Sequence, residues 1–139
     1  MTIPELATTH HTAITVTDLD ASVAWYEQVF GFTKLTESPH PGGYSKILVD
    51  PRSGVAIALH RHDTNQGERF AETRTGLDHV AWSVPRREDL DSWAARLAEF
   101  GVTFTPPVDV EEQGLRYSVL VFRDPDNIQF ELVWVPPRG

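Results

Sequence analysis

The chain is built on an internal repeat, and a repeat of this length limits it to two like units that bury their apolar faces in the same way. The segment from His11, HTAITVTDLDASVAWYEQVFGF, is matched by HVAWSVPRREDLDSWAARLAEFGV from His79. Each copy opens with a histidine, reaches a valine five residues later (Val16, Val84), and passes through an acidic amphipathic stretch. Each then stops at an aromatic-Gly-apolar triplet, Phe30-Gly31-Phe32 or Phe100-Gly101-Val102. The second halves also correspond: Tyr44-Ser45 precedes ILV and Asp50-Pro51, and Tyr117-Ser118 precedes VLVF and Asp124-Pro125. The offset drifts from 68 residues between the histidines to 74 between the aspartates, so loop insertions separate the copies.

Within a copy the pattern changes period. Thr12, Ile14 and Val16 alternate with His11, Ala13 and Thr15, the signature of a half-buried strand, and Val80, Trp82 and Val84 alternate with His79, Ala81 and Ser83 in the same way. Each histidine therefore shares a face with two small residues, and that face is expected to line a cavity. Asp18 or Asp20 can cap a helix carrying Leu19, Val23, Tyr26 and Val29 or Phe30 at helical spacing, with Gly31 as its stop. Leu90, Trp93, Ala94, Leu97 and Phe100, ended by Gly101, predict the second helix. Three apolar runs divided by Gly, Pro, Asn and Asp follow each helix and read as strands. The expected fold is α+β: two βαβββ modules, about 8–63 and 76–136, in one domain of residues 1–139, forming a curled, barrel-like mixed sheet with a central cup and helices outside.

A chain of 139 residues is long enough to bury a core unaided. It has no cysteine, which removes disulfides, thiolate metal sites and a cysteine nucleophile, so any metal must sit on His and carboxylates. The formal charge of −8, with basic residues scattered among acids, argues against a nucleic-acid partner. No apolar run approaches the ~20 residues of a membrane span, and the N-terminus MTIPELATTHH resembles neither a secretory signal nor a transit peptide, so cytoplasmic residence is expected.

If the copies pair about a pseudo-twofold axis, His11 and His79 occupy equivalent positions facing one cup. In the last strand, Ile128, Phe130, Leu132 and Trp134 alternate with Gln129, Glu131 and Val133, which turns Glu131 away from the most apolar face. Two imidazoles and a carboxylate suit one divalent first-row ion (Fe, Mn, Ni, Co or Zn). Such an ion polarises a carbonyl, stabilises an enediolate or binds two adjacent substrate oxygens without a nucleophilic residue. His60, ending the run VAIALH, can be a fourth ligand, a general acid or base, or a rim residue beside Arg61 and His62. Tyr117, with Tyr44 and Arg116, can reach a substrate carbonyl or close the rim; His60 and Tyr117 are the catalytic candidates. His10, pointing opposite to His11, and His40 and His62 are expected on the surface, and Trp25, Trp82, Trp93 and Trp134 in the core.

HTAITVTDLDASVAWYEQVFGF, LDHVAWSV and the closing FRDPDNIQFELVW resemble the vicinal oxygen chelate superfamily of glyoxalases, bleomycin-resistance proteins and extradiol dioxygenases, over nearly the whole chain. The resemblance implies paired βαβββ modules around a divalent metal held by His11, His79 and Glu131. It also implies a small-molecule substrate and a homodimer. The sequence departs from the family where a first-module glutamate is expected, since Ala58 or His60 stands there. A His, His, Glu set is similar to the fosfomycin-resistance and extradiol branches more than to glyoxalase I. The fosfomycin enzymes would call for a denser basic cluster, and the extradiol enzymes for more modules. The implied function is a lyase, isomerase or dioxygenase acting on a small oxygenated substrate; the alternative is a non-catalytic protein that sequesters a drug.

Overall fold

The computed structural model describes residues 1–138. The chain divides into two compact units, Met1–Gly67 and a second beginning at Glu68. The first contains β1 (Thr12–Thr15), α1 (Leu19–Phe30), β2 (Thr33–His40), β3 (Gly43–Val49) and β4 (Ala56–His62). The second repeats the order with β5 (Val80–Ser83), α2 (Arg87–Glu99), β6 (Phe104–Glu112), β7 (Leu115–Arg123) and β8 (Gln129–Trp134). The fold is α+β, with two βαβββ modules. Their sheets are ordered β1-β4-β3-β2 and β5-β8-β7-β6 and are mixed, because β1 runs parallel to β4 and β5 parallel to β8 while the remaining pairs are antiparallel.

The alternation in the sequence becomes the two faces of each sheet. Ile14 and Val16 are buried, as are Leu19, Val23, Tyr26, Val29 and Phe30 of α1, while His11, Ala13 and Thr15 are exposed. Asp18 caps α1 by accepting from the Ala21 N–H at 3.0 Å, and Gly31 ends it with φ 72°, a left-handed conformation that glycine adopts without steric cost. In α2 only Leu90 and Leu97 are fully buried. Phe100, expected on its apolar stripe, is instead 42% exposed, with the Arg96 guanidinium 5.0 Å from its ring. The four tryptophans are half-buried rather than central; the core belongs to Tyr26, Leu48, Ile57 and Leu59 in one unit and Leu120, Phe122 and Phe130 in the other.

The repeated Asp-Pro pair is a turn device. The Asp50 carboxylate accepts from the Arg52 N–H at 3.1 Å and the Ser53 hydroxyl at 2.7 Å; that of Asp124 accepts from the N–H groups of Asp126 at 2.9 Å and Ile128 at 2.8 Å. Burial works to raise the Asp50 pKa, but the hydrogen bonds from Ser53 and Arg52 outweigh it and hold the carboxyl below its ordinary value. No helix among the described residues is long and apolar enough to cross a membrane.

Candidate metal centre

His79 immediately precedes β5, and Glu131 lies on the neighbouring β8 opposite Ala81. This register brings the His79 Nε2 to 3.5 Å from the Glu131 Oε2, while the His79 Nδ1 lies 2.7 Å from the Asp78 carboxylate. The imidazole is thereby oriented from one side, with its other nitrogen presented beside a carboxylate oxygen. The Asp78 hydrogen bond, opposed by partial burial and reinforced by the charges of Glu131 and Asp78, raises the His79 pKa. A positive charge is favoured at this place. Ligating histidines commonly donate their second ring N–H to a carboxylate, which fixes the tautomer and increases basicity. Asp78 takes that position here. Strand alternation does not reach Asp78, whose signal in the sequence is an acidic residue directly before the strand histidine.

His11 holds the matching place in the first unit, and its preceding residue behaves in parallel. His10 does not point away, as the strand alternation suggested: its Nδ1 lies 2.7 Å from the His11 Nδ1, and the rings meet edge to face at 5.0 Å. The alternation fails there because both residues precede β1. Each module thus pairs the Nδ1 of its leading histidine with the preceding residue, through a carboxylate in one and an imidazole in the other. Ala13 pairs with Ala58 as Ala81 pairs with Glu131, so the first unit carries Ala58 where the second carries its carboxylate.

His60 pairs with Thr15 and Ser45 and is half-buried on the face that bears Ala13 and Thr15. Burial, followed by the neighbouring His40, His62 and His11, lowers its pKa and keeps the ring neutral. His40 and His62, read from the sequence as separate surface residues, lie beside it; they come together because β2 and β4 flank β3, a long-range pairing that the sequence pattern does not announce. Tyr117 shares a sheet face with Val121, the residue paired with Glu131, but stands four residues further along β7, about 13 Å at strand spacing. It is half-buried and is not brought to Glu131. A cleft of about 520 Å³ opens at the start of α1, lined by Asp18, Asp20, Glu37, Tyr44, Lys46 and Arg61. Tyr44 and Arg61 pair one residue out of step with Ser45 and His60, so the cleft belongs to the opposite sheet face from the histidines.

The model of the Glyoxalase/Bleomycin resistance protein/Dioxygenase superfamily matches residues 8–132. The chain belongs to this superfamily. A structure of a glyoxalase/bleomycin resistance protein/dioxygenase domain from Frankia sp. is 36% identical, with a TM-score of 0.84 over 95% of this chain and all of that one. A mutant of the Listeria monocytogenes fosfomycin resistance protein FosX, complexed with Mn(II) and a dihydroxypropylphosphonic acid, is 26% identical with a TM-score of 0.64, covering 92% of this chain and 90% of that one. The putative ring-cleaving dioxygenase MhqA of Bacillus subtilis is 29% identical over 75% of this chain. This superfamily member spans about a third of MhqA, since the match covers 32% of its length.

Proposed function

We propose that the protein is a divalent-metal-dependent lyase, isomerase or dioxygenase acting on a small oxygenated substrate, with His11, His79 and Glu131 as metal ligands. The observation that carries this is the clamp in the second module. A ring nitrogen oriented by Asp78 stands 3.5 Å from a carboxylate oxygen, close to the ~3–3.4 Å that bonds of about 2.1 Å impose on two ligands of one ion. The donor set suits such an ion: imidazole and carboxylate bind Mn, Fe, Co, Ni or Zn, and the missing first-module carboxylate leaves positions for substrate oxygens. The Mn(II) bound by FosX supports the same choice.

When bound, the ion supplies Lewis acidity to the substrate oxygens. The chain's own contributions are those of its side chains. Asp78 holds His79 in one tautomer and compensates the charge beside it. His60, neutral through burial, is able to accept a proton from a substrate atom and to return it. Tyr117, four residues along β7 from the partner of Glu131, acts at the far end of a bound molecule. The proposed working form is a homodimer, as the family resemblance implies, with residues 1–139 serving as one domain.

The test is elemental analysis of protein purified without added metal or chelator, beside His79→Ala and Glu131→Gln variants handled identically. The expected result is a divalent ion in the parent that is depleted in both variants, with metal-dependent turnover in a screen of lyase, isomerase and dioxygenase substrates. A parent that neither retains nor takes up any divalent ion overturns the proposal. Ligand binding that survives chelation, without turnover, marks a sequestering protein instead.

A further inference from the structure

We propose that His40, His60 and His62 form a second, all-imidazole metal site, specific to the first module and selective for a late first-row divalent ion such as Zn(II). One ring nitrogen from each of the three lies within 4.8 Å of the others, and the ring centroids are 5.1, 5.1 and 6.0 Å apart. The closest pair, His60 Nδ1 and His40 Nε2, is separated by 3.3 Å, about the spacing that a tetrahedral ion with bonds of ~2.0–2.1 Å imposes on two nitrogens.

Two further features indicate a prepared site rather than a chance gathering of rings. The His40 Nδ1 lies 3.2 Å from the Pro41 carbonyl, an acceptor that places a proton on Nδ1 and leaves the lone pair of Nε2 directed at His60. Between the histidines of its two flanking strands, β3 carries Gly43, which pairs with both His40 and His62. A β-carbon there would meet the Arg61 carbonyl and stand 2.5 Å from Cε1 and 3.0 Å from Nε2 of His40. The absent side chain is the space in which the His40 ring lies.

Without metal, the His60 Nδ1–H donates across the 3.3 Å gap to the His40 Nε2. On binding, the ion takes the place of that proton at Nδ1 and the His60 ring stays neutral by carrying its proton on Nε2. Three neutral imidazoles favour Zn, Cu or Ni over the oxygen-seeking Mg and Ca, and their count leaves a fourth position for water or an anion. The second module cannot repeat the site, because Val133 pairs with Ser83 where His60 pairs with Thr15. The inference does not depend on the metal ligands proposed above, but an ion held here would occupy the His60 ring and take the place of the acid–base role given to it there.

The test is equilibrium dialysis of metal-free protein against Zn(II), with the intact chain, a His40→Gln/His62→Gln variant and a His11→Ala/His79→Ala variant, each checked for its thermal transition. Two ions per intact chain and one in each variant is the expected result. Unchanged Zn(II) stoichiometry and affinity in His40→Gln/His62→Gln overturns the inference, as does an intact chain that binds nothing. A single ion lost only in His11→Ala/His79→Ala overturns it and leaves the proposed function standing; a single ion lost only in His40→Gln/His62→Gln supports it and removes the other site. In the unmutated protein, ¹⁵N spectra of labelled histidine are expected to shift for His40, His60 and His62 together on Zn(II) addition, and unshifted resonances for these three overturn the inference without any substitution.

Discussion

Asp78 is the residue whose small chemical change is expected to have the largest effect on metal affinity without removing a ligand. Asp78→Asn keeps the shape and removes the charge that compensates His79, so affinity for a divalent ion should fall roughly 10–100-fold. Competition with a chromophoric chelator measures this, and an unchanged constant would show that Asp78 does not orient the ring. The neighbourhood of His79 and Glu131 was legible because both positions follow from alternation and repeat. Asp78, His40 and His62 were not, for two reasons. Asp78 acts at the junction before a strand, where alternation does not apply. The two histidines are brought to His60 by strand pairing across β3, and pairing is a tertiary fact. The same limit applies to Tyr117, which the repeat singled out as the counterpart of Tyr44 although its level on β7 is four residues from the partner of Glu131.

At the scale of elements, the helices and strands were foretold wherever capping and period agreed. The α1 boundaries follow from Asp18 and Gly31, and Asp18→Ala should destabilise the protein by about 0.5–2 kcal/mol in urea unfolding, the usual cost of losing an N-cap acceptor. The segment leading into β5 was harder to foresee, since it has no periodicity. It is tied to the β7–β8 turn: the Phe70 N–H donates to the Asp126 carbonyl, the Asn127 side-chain amide donates to the Phe70 carbonyl, and Glu72 takes two from Arg123 at 2.8 and 3.0 Å. Those charge-assisted bonds lower the Glu72 pKa from 4.5 to about 2. A carboxyl depressed on folding stabilises the native state fully above its unfolded value and loses that contribution as pH falls towards the folded one. Between pH 5 and pH 2 the parent should therefore lose more stability than Glu72→Gln, by denaturant midpoints at each pH. Parallel acid limbs would show that the pair contributes nothing, as exposed ion pairs often do.

For the molecule as a whole, an occupied site should appear as stability. An ion at a hundredfold its dissociation constant adds about 2.7 kcal/mol, enough to move the thermal midpoint by several degrees. Because binding must displace a proton from His79, whose pKa is raised, the gain from the His79 site should be greater at pH 8 than at pH 6, and His79→Ala should keep only what the three-histidine site contributes. Scanning calorimetry with and without chelator at both values checks the sign. The two-module plan itself was readable from the repeat, whereas the reach of each sheet was fixed only by its pairing. Among the described residues every strand ladder closes within its own module, β1 with β4 and β5 with β8, and none joins β1–β4 to β5–β8. Neither sheet then has to wait for the other while the chain is ordering. Folding has two independent starting points with modest loop closure in each, and a lesion that stalls one sheet leaves the other able to form. A damaged variant of this protein should accumulate as a half-ordered species rather than a random coil, visible as two unequal steps where the parent unfolds in one.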